Sequence, residues 1–233
     1  MLKQLLTFVY PQTCFACNRE LRADETQVCM HCQQDIPTFD FEKMEGNEAE
    51  KNPVFQLFWG KSNVHYATSC YEYVKGEKLQ NLIHELKYKG RKNLAKFFGE
   101  IMAREINVNL KFQDIDAICF VPSSQQKTRK RGYNQAQELA TSISKSAGKP
   151  CLDILAKKKN TASQTSKNVH DRHFNLENSF AINKKVTLLN NCKHILLIDD
   201  VITTGATLNA CAKIIEGNFD VKVSVLTLAF RHL

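Results

Sequence analysis

The chain has 233 residues, 43% of them hydrophobic, enough for one good core and a small appendage but not for several large domains. Lys and Arg (32) outnumber Asp and Glu (24), and the net charge of +8 favours polyanionic partners: nucleic acid, phosphorylated metabolites or acidic membranes. No apolar run reaches the roughly 18 residues of a membrane span, and MLKQLLTFVYP at the start is too short an apolar run for a signal peptide, so a reducing cytoplasm is the expected setting.

Residues 11–37 are rich in Cys and Gln and show little periodicity. Residues 38–53 (TFDFEKMEGNEAEKNP) are acidic and polar, the mark of a linker or exposed loop. VHYATSCYEYV (64–74) is rich in β-branched and aromatic residues and predicts a strand. Leu79, Leu82, Ile83 and Leu86 recur at helical spacing, as do Leu94, Phe97, Phe98, Ile101 and Met102; Lys87 to Lys92 form a basic turn between them. AICFV (117–121) predicts a short buried strand, and 133–147 a helix ended by Gly148 and Pro150. Residues 156–178 are polar and patternless, a candidate mobile loop. HILLI (194–198) predicts a second buried strand, 206–216 a helix closed by Gly217 and Asn218, and VKVSVLTLAF (221–230) a last strand. Strands alternating with helices, with continuous apolar runs in the strands, imply a parallel sheet covered on both faces. There is no internal repeat.

Four of the nine cysteines form two knuckles, Cys14-Phe-Ala-Cys17 and Cys29-Met-His-Cys32, with eleven residues between them. Two CxxC turns supply four sulfurs to one point, the ligand set of a structural zinc. The gap is shorter than the roughly 15–20 residues of a zinc ribbon, so a compact module is expected. Bound zinc with four thiolates would bring the net charge to roughly +6. His31 could replace one ligand, but four cysteines already fill the shell. Cys70, Cys119, Cys151, Cys192 and Cys211 lie in or beside apolar segments and read as core.

ILLIDDVITTGATLNA (195–210) sets Asp199 and Asp200 at the exit of a strand, ahead of a hydroxyl-rich turn and a helix. The carboxyl end of a parallel strand is the usual ligand crevice of an open α/β sheet. Paired carboxylates can accept from a cis-diol or hold a divalent ion. Gly205 allows a positive φ, Thr203, Thr204 and Thr207 add hydroxyls, and the next helix presents its positive end, an arrangement sized for one phosphate. Two other readings compete: a Walker B strand, and a plain strand–turn–helix with a capping threonine. The first needs a P-loop, and the sole candidate, Gly60-Lys61-Ser62, has Phe55 where that loop needs glycine.

ILLIDDVITTGAT resembles the phosphoribosyl-pyrophosphate (PRPP) signature of type I phosphoribosyltransferases. With Val121-Pro122, RKRGYNQAQELA (129–140), Ser163-Gln164, Arg172, Asn175, Phe180 and the CxxC pairs, nearly the whole chain resembles the ComF/GntX family. The resemblance implies a type I phosphoribosyltransferase fold, α/β with a parallel sheet flanked by helices and a small N-terminal four-Cys zinc ribbon. It divides the chain into a zinc-ribbon module with acidic linker (1–55) and a phosphoribosyltransferase-like domain (56–233). It puts Asp199 and Asp200 on ribose hydroxyls, Thr203, Thr204, Gly205, Ala206 and Thr207 on the 5-phosphate, and Pro122, Ser123 and Ser124 on the pyrophosphate. In that superfamily such a pyrophosphate loop often has a strained cis bond that turns amides toward the phosphates. Arg129 and Arg131, with Lys130 and the Gly132 hinge, would close over the pyrophosphate as catalytic groups; the alternative is a solvated basic turn. Lys157, Lys158 and Lys159 read as a solvated run.

Zn2+ held by the four cysteines and Mg2+ with PRPP are the implied cofactors. For function, the resemblance implies competence: DNA uptake with single-stranded DNA, alongside DNA-uptake or helicase proteins. An active phosphoribosyltransferase with an unknown acceptor, and a PRPP-sensing regulator, stand as alternatives, because no acceptor-binding motif is visible. Tyr88 in KYKGRK and Tyr133 beside KRG suit either base stacking or packing.

Overall fold

A computed structural model describes residues 12–39, 51–88, 90–158, 178–185 and 191–232. Most of the expected acidic linker, Lys89, Lys159 and most of the 156–178 loop, with Ser163-Gln164, Arg172 and Asn175, lie outside the described residues.

In chain order the elements are α1 (Met30–Asp35), α2 (Pro53–Gln56), β1 (Tyr66–Glu72), α3 (Lys78–Tyr88), α4 (Lys92–Val108), β2 (Ala117–Phe120), α5 (Gln125–Arg131), α6 (Gln135–Ala147), β3 (Cys151–Leu152), β4 (Leu155–Lys157), β5 (Phe180–Ile182), β6 (His194–Ile202), α7 (Ala206–Glu216) and β7 (Lys222–Phe230). Five strands make one sheet in the order β1-β7-β6-β2-β3, every pair parallel. This is the helix-flanked parallel sheet that the resemblance implied.

Alternation along the strands divides the apolar residues between two faces. Leu196 and Ile198 of β6, with Ile118 and Leu226, pack under α3, α4 and α6. Ile195 and Leu197, with Val223 and Val225, pack under α7 and α2. Each fully buried side chain of this kind contributes about 1.5–3 kcal/mol. On the first face α4 and α6 pack closely because Gly99 faces Ser142: a Cβ at Gly99 would lie 2.3 Å from the Ser142 Cβ. The cysteine-bearing segment joins that same core, since Cys14, Val28, Cys29, Cys32 and Ile36 cluster with Leu79, Leu82 and Phe98. It is also tied to β1 by a bridge between Thr38 and Tyr71, and Phe39 meets Phe230 edge-on at 5.7 Å.

The structure adds three features to the sequence reading. β6 runs on through Asp199 and Asp200 to Ile202 because β7 keeps pairing with it, Asp199 opposite Thr227 and Ile202 opposite Phe230. Arg129 to Arg131, read as a loop that would close over the pyrophosphate with a solvated basic turn as the alternative, lie in helix α5, begun by the Ser124 hydroxyl accepting from the Lys127 amide and ended by Gly132 at φ 84°. Finally, β4 and β5 form a small antiparallel pair.

Candidate functional site at the carboxyl end of the sheet

The chain passes from β2 outward to β3 and from β6 outward, in the opposite sense, to β7. The switch point, where ligands gather in open α/β sheets, therefore lies between the ends of β2 and β6. Pairing of β2 with β6 stops at Phe120–Ile198. Beyond it Val121 donates to the Ile198 carbonyl, and the two chains part. The next β6 amides turn to carboxylates: Asp200 N–H donates to Asp199 Oδ1 (2.9 Å) and Val201 N–H to Asp200 Oδ1 (2.8 Å).

A cavity of 180 Å³ opens there. Both acids line it, with Pro122, Ser123 and Ser124 from the loop after β2 and Thr207 from α7. A smaller hollow of 50 Å³ adjoins it, formed by Asp199 and the turn Thr203, Thr204, Gly205, Ala206 and Thr207. The residues singled out in the two loops, 78 positions apart between Asp199 and Val121, thus converge. In the turn, Gly205 is buried at φ 71° as the N-cap of α7. A side chain there would be strained by the backbone, and its Cβ would meet the Leu57 Cβ at 3.1 Å. Thr204 Oγ1 accepts from the Ala206 amide at 3.4 Å. All described peptide bonds are trans, those of the Pro122–Ser124 loop included.

Of the two expected arginines, Arg131 lines the cavity and donates to Gln135 Oε1 at 2.8 Å, while Arg129 is exposed on α5 away from the lining. Three lysines complete the wall: Lys87, Lys127 and Lys157. Lys157 corrects its reading as part of a solvated run. It is half-buried against the Phe180 ring at 4.9 Å, and burial, followed by Lys127, lowers its pKa. Lys87 sat in the predicted basic turn without a partner; in the structure its ammonium is 2.9 Å from Asp200 Oδ2. Asn209, also unforeseen, braces the turn of Thr203 to Thr207, donating to the carbonyls of Gly205 and Leu57 at 3.1 Å and accepting from Ser62. Its signal in the sequence was weak, a polar residue on the otherwise apolar face of α7.

Burial, and then the Asp200 carboxylate, push Asp199 up to about 7. An ordinary aspartate titrates near 3.9, so between about pH 4 and about pH 7 the folded chain holds a proton that the unfolded chain has released. That contribution to stability is full below about pH 4 and lost as pH rises to about 7. The ligand-free melting temperature is accordingly expected to decline from about pH 5 to about pH 8 more steeply in the wild type than in Asp199→Asn, a difference that thermal denaturation across pH reads directly.

The two tyrosines part company. Tyr133 is buried and its hydroxyl donates to the Leu86 carbonyl, so it packs. Tyr88 is exposed at the end of α3, with the Arg131 guanidinium 5.4 Å and the His84 ring 4.7 Å from its ring.

At the far side of α3 the sulfurs of Cys14, Cys17, Cys29 and Cys32 all lie within 4.8 Å of one another, and those of Cys17 and Cys29 are 3.8 Å apart. Zn–S bonds of about 2.3 Å in a tetrahedron give S–S edges of about 3.8 Å, so this cluster could hold one ion such as zinc. The second knuckle opens α1, and Asn18, at φ 59°, turns the first. Amides of Cys29 and Cys32 donate to the sulfurs of Cys14 (3.3 Å) and Cys29 (3.4 Å), and Arg19 Nη2 to Cys29 Sγ (3.1 Å). Such donors stabilise thiolates and offset the negative charge of a four-thiolate shell. His31 is exposed, with Nδ1 2.8 Å from Asp35, and stays outside the sulfur cluster.

No family model matches the chain. Among curated proteins it is similar to Competence protein ComFC of Streptococcus pneumoniae, 31% identical over 211 residues that cover 87% of this chain and 88% of the relative. Competence protein F of Haemophilus influenzae is 26% identical over 87% and 90%, and DNA utilization protein YhgH of Escherichia coli K12 27% over 92% and 88%. Solved structures with a likeness include the adenine phosphoribosyltransferases of Leishmania tarentolae (12% identity, TM-score 0.38, 79% of this chain and 88% of that one) and Leishmania donovani (10%, TM-score 0.39, 78% and 81%).

Proposed function

The chain belongs to the family of competence protein ComFC, and from that premise we propose that it serves DNA uptake or utilisation with a site that binds PRPP or a related phosphorylated ribose. The observation that carries the reading is the convergence at the switch point. Two carboxylates, a glycine-threonine turn at a helix N-terminus and a second loop with two serines face joined hollows, ringed by Lys87, Lys127, Arg131 and Lys157. The carboxylates suit the ribose hydroxyls, the turn suits the 5-phosphate, and the Pro122–Ser124 loop with the cations suits a diphosphate. Magnesium would accompany the diphosphate. Zinc in the four-sulfur cluster is the structural partner of this reading.

Two features support contact with single-stranded DNA, with DNA-uptake or helicase proteins as its associates. Lys127, Arg129 and Lys130 are exposed along α5 beside the cavity, and Tyr88 offers an exposed ring next to Arg131. Phosphate contact plus stacking is how sequence-tolerant strand binders work. No helix among the described residues is long and apolar enough to cross a membrane.

The test is equilibrium binding. PRPP with magnesium should bind and raise the melting temperature. A single-stranded oligonucleotide held by about three phosphate contacts should lose about 20-fold in affinity between about 50 and 200 mM salt. A flat salt profile would count against the DNA part, and no response to PRPP against the ligand part.

A further inference from the structure

Of the nine cysteines Cys17 alone is exposed; seven are buried and Cys151 is half-buried. Within the sulfur cluster Cys17 is also the least protected. The Cys14 sulfur accepts from the Cys29 amide, and the Cys29 sulfur from the Cys32 amide and Arg19. Cys32 is 2% exposed. Among the described residues no N–H donates to the Cys17 sulfur, and the Cys29 sulfur lies 3.8 Å from it.

Zinc in the cluster would hold all four sulfurs as thiolates. Hydrogen-bond donors draw charge off a thiolate and burial keeps reagents away, so reactivity concentrates on the one sulfur that lacks both shields. The half-buried competitor, Cys151, is a poor nucleophile, because burial pushes its thiol up to about 11 and leaves it protonated at neutral pH.

We infer that the four-cysteine cluster is an oxidant-sensitive clasp, in which Cys17 reacts with a hydroperoxide, Cys29 resolves the product as a disulfide, and α3 is released. In the first step the Cys17 thiolate attacks hydrogen peroxide. An S–O bond forms, the O–O bond breaks, and the departing hydroxide takes a proton and leaves as water. In the second the Cys29 thiolate attacks the Cys17 sulfenic sulfur. The S–S bond forms, the S–O bond breaks, and a second hydroxide leaves as water after taking a proton. The two sulfurs give up the two electrons that reduce the peroxide. Cys14 and Cys32 remain, too few to hold the ion. Cys29 is the N-cap of α1 and packs in the core beside Leu79 and Leu82 of α3. At the other end of α1, Asp35 pairs with Lys78 in the first turn of α3. Drawing the Cys29 sulfur toward the exposed Cys17 therefore undoes the support of α3. The inference rests on the zinc reading above and adds a chemical input to it.

The experiment titrates the zinc-loaded full chain with hydrogen peroxide. Zinc release is followed with a chromogenic chelator, disulfides by peptide mass mapping, and α3 by hydrogen exchange of its amides. About one zinc should leave for every two thiols lost. Cys17 should be joined to Cys29, the cysteines outside the cluster should stay reduced, and the protection of α3 should fall; dithiothreitol with zinc should reverse all of it. Cys17→His, which keeps a Cys3His shell, should release zinc at least about tenfold more slowly. Zinc retained while cysteines outside the cluster oxidise overturns the inference. So does a first disulfide other than Cys17–Cys29, or unchanged protection of α3 after release, and none of these arms needs a variant to fold. A chain that holds well under one zinc before peroxide is added overturns the zinc reading, and this inference with it.

Discussion

Replacing Asp199 and Asp200 together by Asn is expected to abolish the thermal stabilisation by PRPP with magnesium and to weaken its binding by at least about 100-fold. Each carboxylate would accept a hydrogen bond from a ribose hydroxyl, and bonds to a charged group contribute about 1.5–3 kcal/mol apiece. Two of them amount to about 3–6 kcal/mol, or a factor of about 10² to 10⁴. At a ligand concentration of about 100 Kd the wild type gains about 2.7 kcal/mol, which for a chain of this size is about 5–10 °C. At the same concentration the double variant, weakened 100-fold, gains about 0.4 kcal/mol, or about 1 °C. The ligand-free melting temperature of the variant is read alongside, because relief of the Asp199 carboxylate, held in an unfavourable environment by burial and Asp200, is set against loss of the Lys87–Asp200 ion pair. That separates loss of binding from loss of fold. A wild type that PRPP does not stabilise would sink the ligand reading before any variant is made.

The acid pair and its turn were legible in the sequence because the chemistry is contiguous. Asp199 to Thr207 carry their geometry in nine successive residues, and Gly205 announces the positive φ that the turn adopts. The cations were not legible. Lys87, Lys127 and Lys157 come from three separate segments, and only the assembled fold shows them lining one cavity. Lys157 in particular looked solvated because it opens a run of three lysines, and its partner ring, Phe180, arrives from 23 residues further on. Helix α5 escaped notice because none of its residues is buried, so it has no apolar stripe to give it a period. Only its ends were written locally, Ser124 at one and Gly132 at the other. β6 appeared to stop at Ile198 because acids interrupt the apolar run, yet a strand is kept by its neighbour, and β7 continues to Phe230. β4 and β5, three residues each, are too short for alternation to show.

Emptying the four-cysteine cluster is expected to destabilise the whole chain, not the N-terminal segment alone. Metal analysis should find about one zinc per chain, and a strong chelator or Cys29→Ser should lower the melting temperature by about 10 °C or more. Zinc in such shells contributes about 10–16 kcal/mol in isolated peptides, and here three of its four ligands are buried. Their neighbours Val28 and Ile36 belong to the core that also holds Leu82, Leu86 and Phe98. Asp35, at the end of the helix that the second knuckle opens, pairs with Lys78 in the first turn of α3. Loosening the cluster therefore loosens α3, and α3 ends in Lys87 on Asp200. Zinc loss should for that reason also weaken PRPP binding, although no cysteine touches the cavity. Cys29→Ser is the informative substitution, since its sulfur receives both Arg19 and the Cys32 amide. Well under one zinc per chain, or a melting temperature unmoved when zinc is removed, would refute the structural metal. A chain that melts lower without zinc yet binds PRPP as before would instead confine the metal's influence to the core and leave Lys87 anchored by Tyr133 alone.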